Sequence, residues 1–387
     1  MSKILVLDFC NYDDYQIGGH LSMAKNLISA FGNDLTLVGI TTDKNDPVGR
    51  WFVKNINGIS FDYFALARYD KSRTLHLIPD RLACYLLLRY YRKKILEAGI
   101  QNVFVQRHEI MLVIEKFRFR NVCYCFPGLE SPLGISKYWY SKYIAEQFDK
   151  KFFRGLKKAQ LVLASGDEKS IGEMVQRSRG IFTKDEVKMY PTRINTDVFR
   201  RHDRMDCRRK LGMPENKTII CTTGRLAWLK GWKFMIDSFI LFLKSIPDSV
   251  FYIIGTGEDH QKIKDYLAAN GISDKVVLPG GKKLEEISSY LNASDLFIMG
   301  SYKEGWSTAL SEAIACGIPA VVTDFSSARD IIVEGRNGYV IGEHREDLFS
   351  EGMIKALKIP APVYNENVLQ YSTKRFKDDL LSTWKLI

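Results

Sequence analysis

A strand–helix alternation that runs, stops and starts again most constrains how this chain can fold. Short β-rich runs at Ile4–Phe9, Leu35–Thr41, Ile59–Phe64, Val103–Gln106, Val122–Cys125 and Leu161–Ala164 are interleaved with helical patterns at Leu21–Phe31, Arg81–Ala98, Ser136–Lys158 and Asp167–Ser178. Such alternation predicts parallel βαβ units with helices covering both faces of a sheet. A polar stretch from Arg200 to Pro214 breaks the pattern, which then resumes. Strands are predicted at Thr218–Thr223, Val250–Ile254, Val276–Leu278, Leu296–Met299 and Ala320–Val322, with helices at Trp232–Lys244, Gln261–Asn270, Leu284–Asn292 and Ser307–Cys316. The chain's 387 residues suit two domains of ordinary size. We expect an α/β protein of two Rossmann-like domains facing across a cleft. The first covers residues 1–198 and the second 199–371, and a C-terminal helix from about 372 to 387 could pack back on the first or on the second.

The first apolar run is interrupted by Asp8 and is too short for a signal-peptide core. No stretch approaches the roughly 18 uncharged apolar residues of a spanning helix. The seven cysteines are scattered without a CxxC pair, which fits buried thiols in a reducing compartment. The six histidines show no metal spacing, so no metal is expected. The net charge of +11 is uneven: residues 1–190 hold 29 Lys/Arg against 20 Asp/Glu, and the remainder 27 against 25. A positive first half attracts acidic partners such as anionic lipid, phosphorylated acceptors or nucleic acid.

Four segments of the second half lie where strands end and helices begin, the edge at which open α/β sheets bind ligands. Gly224-Arg-Leu-Ala-Trp-Leu-Lys-Gly231 places Arg225 and Lys230 in one loop before a helix N-terminus. That is a diphosphate site in outline, although a solvated loop with ordinary surface charges reads the same way. In Ile254-Gly-Thr-Gly-Glu258, Gly255 and Gly257 permit close approach of backbone to a ligand or a simple strand–helix turn. His260 stands where the dinucleotide fingerprint needs its third glycine. In Pro279-Gly-Gly-Lys-Lys283, backbone around Gly281 could read a flat base.

The fourth segment is the most informative: Ser301-Tyr-Lys-Glu-Gly-Trp-Ser-Thr-Ala-Leu-Ser-Glu-Ala-Ile-Ala-Cys-Gly-Ile-Pro319. Glu304 precedes a helix that Ser307 or Thr308 can cap and that Gly317 and Pro319 end. Glu312 sits in the body of that helix among apolar residues, and a helix apolar all round is normally buried. A buried carboxylate requires hydrogen-bond donors. Vicinal ribose hydroxyls would supply two, as would a structural salt bridge to a lysine or arginine.

These segments resemble the C-terminal domain of the retaining glycosyltransferases of family 4, which have the GT-B fold. Glu304 and Glu312 reproduce the E-x7-E spacing, and the GRL…KG segment and the Gly-Thr-Gly-Glu turn occur in the family's order. In the first half, Gly18-Gly19-His20 resembles the glycine pair that closes over the donor phosphates or the acceptor. The segment Tyr190–Phe199 resembles the family's interdomain element, with Thr192-Arg193 and Asn195 in place of the usual Asn-Gly and Asp. The resemblance implies that Arg225 and Lys230 hold the donor diphosphate without a metal. It implies that Glu312 binds the ribose, that Glu304 contacts the donor sugar, and that the amides of Trp306, Ser307 and Thr308, after Gly305, assist at the phosphate. His108 is the candidate for contact near the reacting carbon. The donor is then a nucleotide-diphosphate sugar, UDP-linked rather than GDP-linked, carrying a hexose or N-acetylhexosamine. No cofactor is expected.

The acceptor is expected to be a glycan or a lipid-linked glycan of cell-surface polysaccharide or glycolipid synthesis. Residues 131–160 combine Tyr138, Trp139, Tyr140, Tyr143, Phe148, Phe152 and Phe153 with seven cations, and Arg89–Lys94 form a second basic aromatic cluster. Such helices fit an interfacial surface, or equally a long helix that buries its aromatics and solvates its lysines. We expect a cytoplasmic chain, with peripheral attachment to the inner face of the cytoplasmic membrane as the working hypothesis. A nucleotide-sugar epimerase of the same architecture and a basic nucleic-acid-binding protein are the rival readings. No nucleic-acid motif accompanies the charge, so no such partner is expected.

Overall fold

The computed structural model describes residues 3–15, 19–70, 79–129, 131–133, 141–166 and 168–386. They form two compact units, residues 1–191 with 376–387, and 192–375. The division falls earlier than the boundary expected at 198/199. Ile194 bridges in parallel to Ser372, and Ile194 and Phe199 are buried in the second unit's core, so this segment folds with the second unit.

The first unit's strands are β1 (Ile4–Leu7), β2 (Leu35–Thr41), β3 (Trp51–Ile56), β4 (Ile59–Arg68), β5 (Asn102–Val105), β6 (Asn121–Phe126), β7 (Leu161–Ala164) and β8 (Lys188–Met189). They lie in the order β3-β4-β2-β1-β5-β6-β7-β8. All described pairings are parallel except β3 with β4. That hairpin was not predicted. It turns at Asn57 (φ 53°) and Gly58 (φ 82°), and an Asn-Gly pair with two positive φ values matches the twist of a two-residue β-hairpin. The helices are α1 (Gly19–Phe31), α2 (Asp80–Leu96), α3 (His108–Met111), α4 (Ser141–Leu156) and α5 (Glu168–Arg177). Two buried clusters fill the unit, one containing Leu5, Val103, Tyr124 and Phe152, the other Ile4, Leu37, Phe104 and Leu163. Alternate residues of β1 and β5 thus point to opposite covered faces, as a sheet sandwiched by helices requires.

The second unit opens with α6 (Arg204–Leu211), where the sequence was expected only to break. Asp203 caps it by accepting a 2.9 Å bond from the amide of Asp206, and Gly212 ends it at φ 65°. Its polarity had concealed it. Arg208 is nonetheless buried, donating to the carbonyl of Ala293 and pairing at 2.6 Å with Asp295. The remaining elements are β9 (Thr218–Thr223), α7 (Trp232–Leu243), β10 (Ser249–Ile254), α8 (His260–Ala269), β11 (Val276–Gly280), α9 (Leu284–Ala293), β12 (Leu296–Met299), α10 (Thr308–Ala315), β13 (Ala320–Thr323), α11 (Ala328–Ile331), β14 (Gly338–Ile341), α12 (Glu346–Ala356) and α13 (Glu366–Leu369). The sheet order is β11-β10-β9-β12-β13-β14, and every described pairing is parallel. Strand order reverses between β9 and β12, so the chains leaving these neighbouring strands diverge and open a crevice at their carboxyl ends. The last helix, α14 (Phe376–Trp384), buries Phe376, Leu380, Leu381 and Trp384 in the first unit.

All seven cysteines are free and buried, and Cys123 and Cys125 share one face of β6. Among the described residues no helix is long and apolar enough to cross a membrane.

Candidate functional site

The crevice at the ends of β9 and β12 is built from loops tied to one another by their backbones. Gly224 N donates to Ile254 O at 3.0 Å, Leu226 N to Thr256 O at 2.9 Å, Gly255 N to Gly280 O at 3.0 Å, and Tyr302 N to Leu229 O at 3.0 Å. The glycines permit this contact. A Cβ on Gly255 would stand 1.8 Å from the carbonyl oxygen of Gly224, and one on Gly257 would stand 2.2 Å from that of Leu226. Their lack of side chain is therefore required by loop-on-loop packing. Gly281 is exposed and lies against Thr256. Asp259, missed in the sequence, holds the loops from below. Its carboxylate accepts from Trp232 Nε1 at 3.1 Å and from Lys262 Nζ at 2.8 Å, and its own amide donates to Leu226 O. These donors hold the Asp259 carboxyl below its ordinary range.

Lys230 and Glu304 meet. Lys230 Nζ lies 2.6 Å from Glu304 Oε1, and Ser301 Oγ donates to the same oxygen at 2.7 Å. The Glu304 side chain is only 11% exposed. Arg225 is exposed beside them, and a small cavity is lined by Thr223, Gly224, Arg225, Lys230, Met299 and Ser301. The Thr223 hydroxyl is buried there without a hydrogen-bond partner among the described residues. Among the described residues the crevice thus carries a paired ammonium and a guanidinium without an ion pair, with carboxylate and hydroxyl groups beneath.

Ser307 is the N-cap of α10, accepting from Leu310 N at 3.2 Å. Its own amide, expected to face a phosphate, instead donates to Ser327 Oγ at 2.9 Å. Ser327 comes from a later loop with no motif to mark it. The amides of Thr308 and Ala309 in the first turn have no intrahelical acceptor and keep the positive end of the helix dipole. Gly305 and Thr308 are exposed. Trp306 is buried, edge-on to Tyr371 at 5.5 Å, and its indole nitrogen has no hydrogen-bond partner among the described residues.

Glu312 lies on α10, partly accessible. Among the described residues no hydrogen bond or ion pair reaches its carboxylate, and burial pushes its pKa up to about 8. A salt bridge, one of the two readings open from sequence, is absent among those residues.

Gly18 lies outside the described residues, and Gly19 opens α1 in the first unit. His108, also in the first unit, is buried at the start of α3 with its ring 4.7 Å from Phe152, 5.9 Å from Phe126 and 6.1 Å from Tyr124. It is part of an aromatic core, a setting its isolated sequence position did not disclose. Nearby, Arg107 Nε pairs with buried Asp8 at 2.7 Å, so the acid interrupting β1's apolar run anchors the end of β5. In α4, Phe152 and Phe153 are buried and Phe148 packs against the core, while Tyr143 is exposed. Tyr138, Trp139 and Tyr140 lie outside the described residues. No group of three or more metal-binding side chains is found among the described residues.

Comparison with known proteins bears on the second unit. Residues 203–375 match the family described as glycosyl transferases group 1. The chain is 28% identical over 166 residues to an uncharacterized glycosyltransferase of Methanocaldococcus jannaschii, covering 42% of each. It is 27% identical over 177 residues to the poly(glycerol-phosphate) alpha-glucosyltransferase of Bacillus subtilis, covering 45% of this chain and 26% of that protein. It therefore spans less than half the length of these relatives. Across the whole chain the fold is similar to that of Anabaena HepE in complex with UDP-glucose, with a TM-score of 0.70, 16% identity and full coverage of both chains. The architecture is the GT-B type, two Rossmann-like units in one chain.

Proposed function

We propose that the chain is a retaining glycosyltransferase that moves a hexose or N-acetylhexosamine from a UDP-sugar to a glycan or lipid-linked acceptor. The observation that carries this is the Glu312 carboxylate, without a hydrogen bond or ion pair among the described residues, on α10, whose preceding loop brings Glu304 to Lys230. Two ribose hydroxyls supply the donors it lacks. Arg225, Lys230 and the first-turn amides of α10 take the diphosphate, meeting its charge without a metal, and Glu304 turns to a hydroxyl of the donor sugar. In the reaction the anomeric carbon–oxygen bond to the diphosphate breaks as the acceptor oxygen bonds the same carbon from the same face. The acceptor proton leaves with the departing phosphoryl oxygen. Cations preset at the leaving group stabilise the charge that develops there, the largest electrostatic task of the step. The UDP-glucose held by the Anabaena structure supports a UDP-linked donor.

A thermal-shift panel of UDP-, GDP- and ADP-sugars tests the donor class, because a ligand selective for the folded state raises its stability. Stabilisation by UDP-sugars alone is expected, and none by any nucleotide sugar overturns the reading. Product analysis separates transfer from epimerisation: a new glycosidic linkage against an altered free nucleotide sugar.

The acceptor reading extends to an anionic membrane surface, favoured by α2. Leu82, Leu86 and Tyr90 recur one turn apart and are exposed, flanked by exposed Arg81, Arg89 and Lys93. Tyr143 and Ile144 of α4 are exposed as well, and Lys151 of α4 reaches Tyr85 of α2 at 3.3 Å. Apolar residues among cations suit anionic lipid. Flotation with anionic but not neutral vesicles at low salt is expected, and the triple change of Leu82, Leu86 and Tyr90 to Ser should abolish it. Absence of wild-type flotation overturns this part alone.

A further inference from the structure

The two loops that meet at Lys230 and Glu304 also carry aromatic rings that the roles above leave unused. Trp228 is 67% exposed and Tyr302 46% exposed. Neither is loose. Tyr302 stacks on His344 with ring centres 4.7 Å apart and planes 13° from parallel. Trp228 leans on Tyr302 at 5.8 Å and 36°. His344 packs in turn on Phe234, a buried residue of α7, at 5.2 Å. The result is a ladder rooted in the core and ending in open rings at the carboxyl ends of β9, β12 and β14. The backbone bond from Tyr302 N to Leu229 O fixes the two loops beneath it.

An indole left mostly in water beside a crevice is apolar area whose burial by a ligand is favourable. The surroundings say what fits. Among the described residues neither the Trp228 indole N–H nor the Tyr302 hydroxyl makes a hydrogen bond within the chain, so both remain available. Arg225 stands exposed on the Trp228 loop and Glu343 on the loop after β14 that carries His344, offering charges of both signs. A flat aromatic face rimmed by polar groups of mixed sign is unsuited to an acyl chain. It suits a ring with one apolar C–H face and hydroxyls around its edge. We propose that Trp228 and Tyr302, braced by His344, form a stacking platform for a pyranose ring next to the reacting sugar. The proposal rests on the donor-site reading above. The ring belongs either to the saccharide acceptor or to the donor, and the donor-site reading gives the donor's sugar to Glu304, which favours the acceptor.

The test uses the full chain and four methyl pyranosides (gluco, galacto, manno and N-acetylglucosamine) as probes in saturation-transfer NMR. At least one should receive saturation at the C–H protons of one face. Trp228→Ala should weaken its binding about tenfold, the upper end of an aromatic stacking contact, and Trp228→Phe should restore most of it. A signal that persists under saturating UDP-glucose assigns the ring to the acceptor, and a signal displaced by it assigns the ring to the donor. No transfer to any pyranoside, or equal transfer in wild type and Trp228→Ala, overturns the platform. UDP should still raise the melting temperature of Trp228→Ala as it does that of the wild type. If UDP stabilises neither protein, the donor reading fails instead, a result distinguishable from failure of the platform.

Discussion

Replacing Glu312 by Gln should stabilise the protein at alkaline pH and abolish a proton release on donor binding. The carboxyl titrates at about 8 in the folded chain against 4.5 for an ordinary glutamate, with burial as the cause. In the unfolded chain it returns to its ordinary value, so between those two pH values the unfolded state loses its proton first. Stability from this group is therefore fully present below pH 4.5, declines as pH rises, and levels off above pH 8. The full difference corresponds to about 4–5 kcal/mol. Glu312 keeps partial access to solvent, so about 2–3 kcal/mol is the expected loss. Gln keeps the shape and cannot ionise. By calorimetry, Glu312→Gln should melt roughly 5–10 °C above wild type at about pH 9 and level with it at about pH 5. Ribose hydroxyls donating to the carboxylate favour its charged form, so UDP should bind wild type with release of a proton at neutral pH. Titration calorimetry in two buffers of different ionisation enthalpy reads that proton directly. Parallel melting curves for the two proteins across this range would falsify the buried-carboxylate argument. A buffer-independent binding enthalpy would refute the ribose role alone.

On the proposed reading, in which Glu304 turns to a hydroxyl of the donor sugar, Glu304→Gln should lower kcat by about 10²–10³ with the melting temperature nearly unchanged; turnover close to wild type counts against that role. Gly231 has φ +66° and a Cβ there would stand 1.8 Å from Gly300 O, so Gly231→Ala should cost roughly 2–4 kcal/mol in urea unfolding, and a cost below about 1 kcal/mol would show that the two loops can separate freely. Asp295→Asn strands the buried Arg208 guanidinium and should cost about 3–5 kcal/mol. Arg204→Ala, which removes only the exposed partner of Asp295, should cost under about 1 kcal/mol, and equal losses would refute the distinction between the two arginines.

The alternation of apolar runs and helical patterns was sufficient to read two Rossmann-like units, because strands buried on both faces leave a local signature. The β3–β4 hairpin is legible too, since Asn57-Gly58 between two β-rich runs is a strong hairpin signal. Helix α6 was hidden for a different reason. Its residues are polar because most face water, and its one buried cation is matched by Asp295, a partner far along the chain. The glycines of the Gly-Thr-Gly turn were legible as special. Their reason was not, because the carbonyls they approach, those of Gly224 and Leu226, belong to another loop. Likewise, nothing local to Ser307 foretells that Ser327 will occupy its amide.

Glu304 and Glu312, read as a spaced pair, differ in kind once placed. Glu304 is already satisfied, by Lys230 and Ser301, whereas Glu312 is not. On the proposed reading this difference sets the order of events on donor binding. Glu312 gains hydrogen bonds it never had, so its contribution is net favourable and draws in the ribose. Lys230 must exchange one anion for another, and a diphosphate carries more charge than a carboxylate, so the exchange proceeds where a neutral ligand could not drive it. The exchange frees Glu304 for a sugar hydroxyl only after the diphosphate has arrived. The backbone bonds that tie the loops after β9, β10, β11 and β12 keep the cations in place throughout, so most of the reorganisation is a single ammonium changing partners. A bare nucleoside would then engage Glu312 while leaving the Lys230–Glu304 pair intact. UDP should consequently bind far more tightly than uridine in wild type, and Lys230→Met should erase most of that difference. A Lys230→Met variant that still prefers UDP to uridine as strongly as wild type would mean that Arg225 and the α10 amides hold the diphosphate without Lys230.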